Sequence, residues 1–304
     1  MAYSKGILWT RERIERLRDL VLEGETGREI SDILSYEWKI PIGVQAVNNA
    51  KIRYKLTYYI EKESDVKLYK HKKIPLDNYI VSCDYHAPYY STLWFNRLLA
   101  IAQRFNIRKH IIAGDLFDLN FAKAHKIIDG EEKTGIDQEI EGTDPVMQAL
   151  KWFDEIFLIS GNHESRLGRI TDARIQSRHV VYLYGKDLGN KLKFSEYDSI
   201  QVGSHWRIIH PKSYSQISGS TAIRLVEKYR MNVLNAHGHF VALRYDRSGQ
   251  NIGVDLGGIL DRDKIAYCNL ATTTHPAWNN GFGMILNDKF YHFHAETDWD
   301  YWLK

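Results

Sequence analysis

Cysteine is almost absent from this 304-residue chain, where Cys83 and Cys268 are the two present. Two thiols build no disulfide framework and fit a reducing compartment. No run of about 18 apolar residues occurs, which argues against a helical membrane span. The opening MAYSKGILWTRER lacks the apolar stretch of a secretory signal, so a soluble, cytoplasmic protein is expected. Internal repeats and low-complexity tracts are missing as well. Nor is there a strong charge of one sign. The formal net charge is +3, too small by itself to argue for a polyanionic partner. Its basic excess lies at the front, where residues 1–75 carry 15 Lys and Arg against 11 Asp and Glu.

What is present suits a globular enzyme. The length predicts one enzyme-sized domain with a small appendage, and a chain this long fills a core without staples. Residues 10–22 have Ile14, Leu17, Val21 and Leu22 at helical spacing behind Thr10, a ready N-cap. Thr26 and Glu29 form a capping-box pattern that opens a short helix through Ile30, Ile33 and Leu34. A third helix is expected over Gly43–Leu56. The lysine-rich stretch after Glu61 reads as a linker, giving the division 1–60, 61–75 and 76–304.

Beyond the linker, short apolar runs of strand type appear at Tyr79–Cys83, Ile111–Ala113, Ile156–Ser160, Trp206–Ile209 and Asn232–Asn235. Helical stretches are expected at Leu93–Phe105, Asp144–Phe153 and Ser218–Tyr229, and the tail from Gly281 is strand-like. This alternation predicts a layered α/β core.

The chemistry-bearing residues fall just past those runs. Asp84 and His86 follow the first, Asp115 the second, Asn162 and His163 the third, His210 the fourth, and His237 and His239 the fifth. Ligands gather outside the carboxyl ends of strands in α/β sheets, so five such ends would converge on one cleft. Mixed carboxylate, amide and imidazole donors suit Mn, Fe or Zn better than Ca or Mg. Two such ions clamp a phosphate and activate a water for in-line attack on phosphorus. Asp115, alone on its loop, is the candidate to bridge them.

Asp84-Tyr85-His86, Gly114-Asp115, Gly161-Asn162-His163-Glu164, His210 and Ala236-His237-Gly238-His239 resemble, in order and spacing, the five signature blocks of the calcineurin-like metallophosphoesterases. The resemblance implies a four-layer αββα sandwich and a dinuclear site. One metal would be held by Asp84, His86, Asp115 and His239, the other by Asp115, Asn162, His210 and His237. It further implies that His163 contacts the phosphate and protonates the leaving oxygen, with Asp118 orienting it. Ala236 and Pro211 stand where Gly is more usual. Leu119-Asn120 replaces the Arg-Gly of the Ser/Thr protein phosphatases, which sets this chain apart from that branch. Gly114-Asp115-Leu116-Phe117-Asp118 looks closer to the nuclease-like and phosphodiesterase-like branches.

Other residues admit plainer roles. Arg166 and Arg169, on an expected helix after His163, could reach a phosphate oxygen or serve as surface ion-pair partners. His292 and His294 share a strand face without a partner carboxylate and read as structural, as do His125 and His275. Asp129–Asp144, with seven acidic residues and one Lys, reads as a solvated loop.

Leu8-Trp9-Thr10, Gly24 and Gly43-Val44-Gln45-Ala46-Val47 resemble a Myb-like helix-turn-helix. That resemblance implies a recognition helix presenting Gln45, Asn48, Asn49 and Lys51 to a DNA major groove. Small trihelical units also dock proteins, so both partners stay open. Together these features point to a phosphoric ester hydrolase loaded with two divalent metals, Mn first and Fe or Zn as alternatives. DNA is the expected substrate and partner, as in phage DNA-processing proteins, where the enzyme would sit in the host cytoplasm. Nucleotides or small phosphate esters form one alternative. A DNA-binding regulator carrying an inactive phosphoesterase scaffold forms another.

Overall fold

The computed structural model describes residues 7–23, 25–54, 56, 72–123, 134–265, 268 and 277–304. Two compact units make up the chain, Met1–Lys70 and His71–Lys304.

The first unit holds three helices, α1 (Arg11–Leu22), α2 (Gly27–Trp38) and α3 (Val44–Arg53). Thr10 caps α1, accepting from the Arg13 N–H at 3.4 Å. The Thr26–Glu29 box is complete, with Thr26 N donating to Glu29 Oε2 at 2.7 Å and Glu29 N to Thr26 Oγ1 at 3.3 Å. Helix α2 outruns its apolar pattern and stops at Lys39, whose φ of 53° is left-handed. Leu17, Leu20, Ile30, Leu34, Val47 and Ala50 form a core of its own.

The second unit contains two six-stranded sheets. In chain order its elements are β1 (Lys72–Ile74), β2 (Tyr79–Ser82), α4 (Thr92–Arg104), β3 (Lys109–Ile112), α5 (Ile136–Leu150), β4 (Glu155–Ile159), α6 (Arg166–Ile170) and α7 (Ser177–Gly185). There follow β5 (Leu192–Ser195), β6 (Ser199–Val202), β7 (Trp206–Ile209), α8 (Ser220–Tyr229), β8 (Asn232–Asn235), β9 (Val241–Tyr245), β10 (Ile252–Leu256), β11 (Phe282–Leu286) and β12 (Lys289–Phe293). The strand orders are β1-β6-β7-β8-β10-β9 and β12-β11-β2-β3-β4-β5. Strands β2 to β5 run parallel, as do β7 and β8.

Period-two alternation sets the layers. Tyr79, Val81, Ile111, Phe157 and Ile159 of one sheet face Ile200, Trp206, Ile208, Leu234 and Val254 of the other. Their neighbours Ile80, Ile112, Ile156 and Leu158 point outward to Leu98 of α4, Val146 and Leu150 of α5, and Val181 of α7. On the far side Ile209 and Val233 pack against Val226 of α8. Helices thus flank two apposed sheets, a mixed α/β sandwich. Each crossover helix returns the next parallel strand in the same direction, so the carboxyl ends of β2, β3 and β4 share one edge.

Two expectations give way here. Helix α5 begins at Ile136, inside the stretch read as a solvated loop (residues 129–133 lie outside those described). Its acids split by face: Asp137, Glu141 and Asp144 are exposed, whereas Glu139 is fully buried. Pro145 within the helix and the density of charge concealed its period. Lys72–Ile74, assigned to the linker by composition, instead pairs in parallel with Ser199–Val202 as an edge strand.

Candidate metal centre

Each ligand candidate sits where a strand stops and the backbone bends inward. Asp84, His86, Asp115, His237 and His239 all have positive φ, between 48° and 73°. Such conformations are uncommon for side chains other than Gly, Asn and Asp, and they persist only where the surroundings enforce them. Two glycines make room. A Cβ on Gly161 would lie 2.1 Å from Asp115 Oδ1, and one on Gly114 would lie 2.6 Å from His210 Nδ1.

The side chains meet in two groups, each drawn from both sheets. In the first, His239 Nε2 lies 3.1 Å from Asp84 Oδ1 and 3.3 Å from His86 Nε2. In the second, His210 Nε2 lies 3.3 Å from Asp115 Oδ2 and 3.1 Å from Asn162 Oδ1. His237 completes that group with Asp115 and His210, their ligand atoms within 4.8 Å of one another. All are buried except Asn162 and His237, which are half-exposed.

Proton bookkeeping shows why these groups fit cations. Ala113 O accepts from His210 Nδ1 at 2.8 Å, so the proton of a neutral ring is committed there. Its Nε2 lone pair then faces a carboxylate oxygen and an amide oxygen, three acceptors together. His86 repeats the pattern, since Nδ1 lies 3.0 Å from Asp118 Oδ1 and Nε2 faces the first group. Burial alone would lower the pKa of His210, yet Asp115 and Asp84 push it up to about 10. The carboxylates therefore concentrate enough negative potential at Nε2 to hold a positive charge. A buried cluster of acidic groups without such a charge would be strongly unfavourable. Burial would also raise Asp84, but His239 and His210 hold it down to about 2. Burial and the nearby His210 lower His237 to about 4, keeping its imidazole neutral and its lone pair free.

Asp118 does more than the sequence suggested. Its Oδ1 lies 3.1 Å from His163 Nδ1 as well as 3.0 Å from His86 Nδ1. Its carbonyl accepts from His163 Nδ1 at 2.9 Å and from Arg166 at 2.7 Å. Despite burial, hydrogen bonds from His163 and His86 hold the carboxyl far below its usual range. His163 Nε2 accepts from Arg166 at 2.8 Å and stands 3.9 Å from Asp115 Oδ2, at the edge of the second group.

Arg166 is thus engaged with His163 and Asp118, while Arg169 is exposed and donates to Ser165 Oγ at 3.1 Å. His292 Nε2 faces the Leu256 carbonyl at 3.3 Å and joins neither group. His125 and His275 lie outside the described residues. In the first unit, Gln45, Asn48 and Asn49 are exposed on α3, and Gln45 Nε2 donates to Asn49 Oδ1 at 3.2 Å. Lys51 is half-buried, and its pKa is lowered by that burial.

Three contributors escaped the sequence reading. Glu164, fully buried, accepts from the N–H groups of Asp115 (3.0 Å), Leu116 (2.8 Å) and Gly161 (2.8 Å), tying two ligand loops together. Its place in the Gly161–Glu164 block marked it, but nothing marked its task. Tyr214 packs edge-on against His237 with ring centroids 5.1 Å apart, and Trp278 against His239 at 4.3 Å.

No family model matches the sequence, and no curated protein does. Among solved structures the chain is similar to YfcE, a phosphoesterase from E. coli, at 13% identity over 70% of this chain and 91% of that one, with a TM-score of 0.34. It is also similar to Vps29 from Chaetomium thermophilum, at 13% identity over 73% and 87% of the two chains, with a TM-score of 0.38. A third likeness is to the nuclease MPE from Pseudomonas putida, at 13% identity over 71% and 87%, with a TM-score of 0.27. At superpositions this loose none of the three bears on function, which the side chains of this chain must decide.

Proposed function

We propose that this chain is a dinuclear metallophosphoesterase of the calcineurin-like type. One observation carries the reading: two adjoining groups of mostly buried carboxylate, amide and imidazole acceptors converge beyond the carboxyl ends of five strands. Asp84, His86 and His239 would hold one divalent transition metal, and Asn162, His210 and His237 the other, with Asp115 shared. When bound, Mn, Fe or Zn would supply the charge that draws in a phosphate and acidifies water.

The chain's own residues would do the rest. Asp118 fixes the His163 ring with its proton on Nδ1, and Nε2, which accepts from Arg166, would exchange a proton with the leaving oxygen once substrate displaces that bond. Arg166 lies against His163 Nε2 with further N–H groups to offer a phosphate oxygen. Glu164 keeps the two ligand loops together, and burial of the carboxylates strengthens their hold on cations.

The substrate we favour is DNA. The α3 face with Gln45, Asn48 and Asn49 supports this reading, because its exposed amides suit base edges. A Mn-loaded panel tests it, comparing bis-p-nitrophenyl phosphate, p-nitrophenyl phosphate, cyclic nucleotides, and single- and double-stranded DNA, with His163→Ala as control. Cleavage of DNA lost in the variant is expected. Turnover of small esters with DNA left intact would move the substrate to nucleotides or small phosphates. Absence of metal uptake would leave the scaffold reading in its place.

A further inference from the structure

We propose that Glu139 is a positioning residue for the candidate site, its buried carboxylate fixing the backbone that carries Asp118 and thereby the rings of His86 and His163. The inference rests on the phosphoesterase reading only for the role it gives His163.

Glu139 lies in the first turn of α5 and is fully buried. Its Oε1 accepts from the N–H of Asn120, and the Phe121 N–H also bonds to the carboxylate. The Tyr184 hydroxyl donates to Oε2 at 3.5 Å. Residues 120–122 form a short 3-10 turn directly after Asp118 and Leu119, the latter at a left-handed φ of 52°. The loop from Asp115 to Phe121 is therefore gripped at both ends by buried carboxylates. Glu164 takes the amides of Asp115 and Leu116, and Glu139 those of Asn120 and Phe121. Asp118 sits between the two grips, its own N–H bonded to Ala87 O at 3.0 Å. The same helix abuts the His86 side as well. A Cβ on Gly142 would lie 2.6 Å from Pro88 Cβ, so only glycine lets α5 approach this closely.

A carboxylate in such a place is costly to bury, and an uncharged side chain would suffice to fill the space. What a charge adds is strong acceptance of two amides at once. Burial and the nearby Asp118 push the Glu139 carboxyl up to about 7, while the Asn120 and Phe121 amides and Arg166 oppose the rise. Tyr184 of α7 and Tyr89 are the other titratable groups turned towards it. The grip therefore tightens as Glu139 ionises.

Glu139→Gln in the full chain tests this with two readouts, Mn affinity by titration calorimetry and turnover of bis-p-nitrophenyl phosphate across pH. Outer partners of metal ligands are worth about 10–100-fold in affinity or activity. Glu139 acts one bond further out, so a loss of about 10-fold in Mn affinity and in kcat is expected, with KM nearly unchanged. The ratio of wild-type to variant kcat should grow as pH rises through about 7. Below that pH the two side chains carry the same charge, and titrations common to both proteins cancel in the ratio. Tyr184→Phe, a milder change, should move the same ratio in the same direction. Mn affinity within twofold of wild type, or a ratio flat with pH, would overturn the proposal. If the wild type itself turns over no ester, the phosphoesterase reading fails, and the Mn affinities still decide the role of Glu139.

Discussion

Replacing Gly161 by alanine adds one methyl group at the most crowded point of the site. That carbon would lie 2.1 Å from Asp115 Oδ1, 2.8 Å from its Cγ and 2.5 Å from its backbone N. Ordinary contact needs about 3.5–4.0 Å, so more than an ångström must be found. The backbone amide of Gly161 is bonded to Glu164 at 2.8 Å and resists sliding away. Asp115 must then swing, breaking its 2.9 Å bond from the His163 N–H and its approach to His210. Overpacking of this kind costs about 1–3 kcal/mol, and a unit of this size loses about 2–4 °C in Tm for each kcal/mol. Displacing a reacting group by about 1 Å costs on the order of 10²-fold in rate. Gly161→Ala should therefore fold, melt modestly earlier, bind fewer than two Mn ions per chain and turn over bis-p-nitrophenyl phosphate about 10²-fold more slowly. Thermal melts and elemental analysis of the Mn-loaded variant supply the measurements. A variant that holds two ions and retains wild-type turnover would refute the shared placement of Asp115.

His163→Ala should lower kcat by about 10²–10⁴-fold while metal content stays at the wild-type level, read by elemental analysis beside the kinetics. Asp118→Asn removes the negative charge from the acceptor shared by His86 and His163, so Mn affinity should fall about 10–100-fold along with activity, in contrast to His163→Ala. His292→Ala should leave Mn binding and turnover unchanged, since His292 faces the Leu256 carbonyl and joins neither ligand group. His110, fully buried on β3 with Nε2 at 2.7 Å from Ser82 Oγ, has its pKa lowered by burial to about 3. A folded pKa below the unfolded value gives stability that is complete above about 6.5 and lost as pH falls towards about 3. Denaturant melts of His110→Gln should show a shallower loss of stability across that window than the wild type.

The candidate site was legible because its expected ligands stand next to the strongest local signals in the chain. Each follows an apolar run bounded by a small residue, and five such runs became β2, β3, β4, β7 and β8. The Thr26–Glu29 box was equally plain, since both partners lie within one turn. What stayed hidden acts over distance or against composition. Glu139 and Glu164 bind backbone amides of a loop remote in sequence, and no side-chain pattern announces such a partner. Strands β1, β5 and β6 carry charged or polar residues among their apolar ones, so no continuous apolar run marked them. In α5, Val146, Met147 and Leu150 marked the second half, but the first half from Ile136 buries Glu139 and Thr143, so no apolar period marked its buried positions among the acids. Asp118 was expected to serve one histidine and touches two, a fact fixed by the approach of His86 to His163, with ring centroids 4.3 Å apart.

The division of each ligand group between two sheets has a consequence for the order of assembly. Asp84 and His86 come from the β2 edge but His239 from beyond β8. Asp115 and Asn162 likewise face His210 and His237 across the sandwich interface. No stretch of consecutive residues can seize an ion alone, as a zinc finger does when metal drives its folding. The sheets must first close in register, and ion capture would then act as a late rivet through both. Metal would thus slow the parting of the sheets far more than it would speed their meeting, a kinetic lock on a sandwich already built.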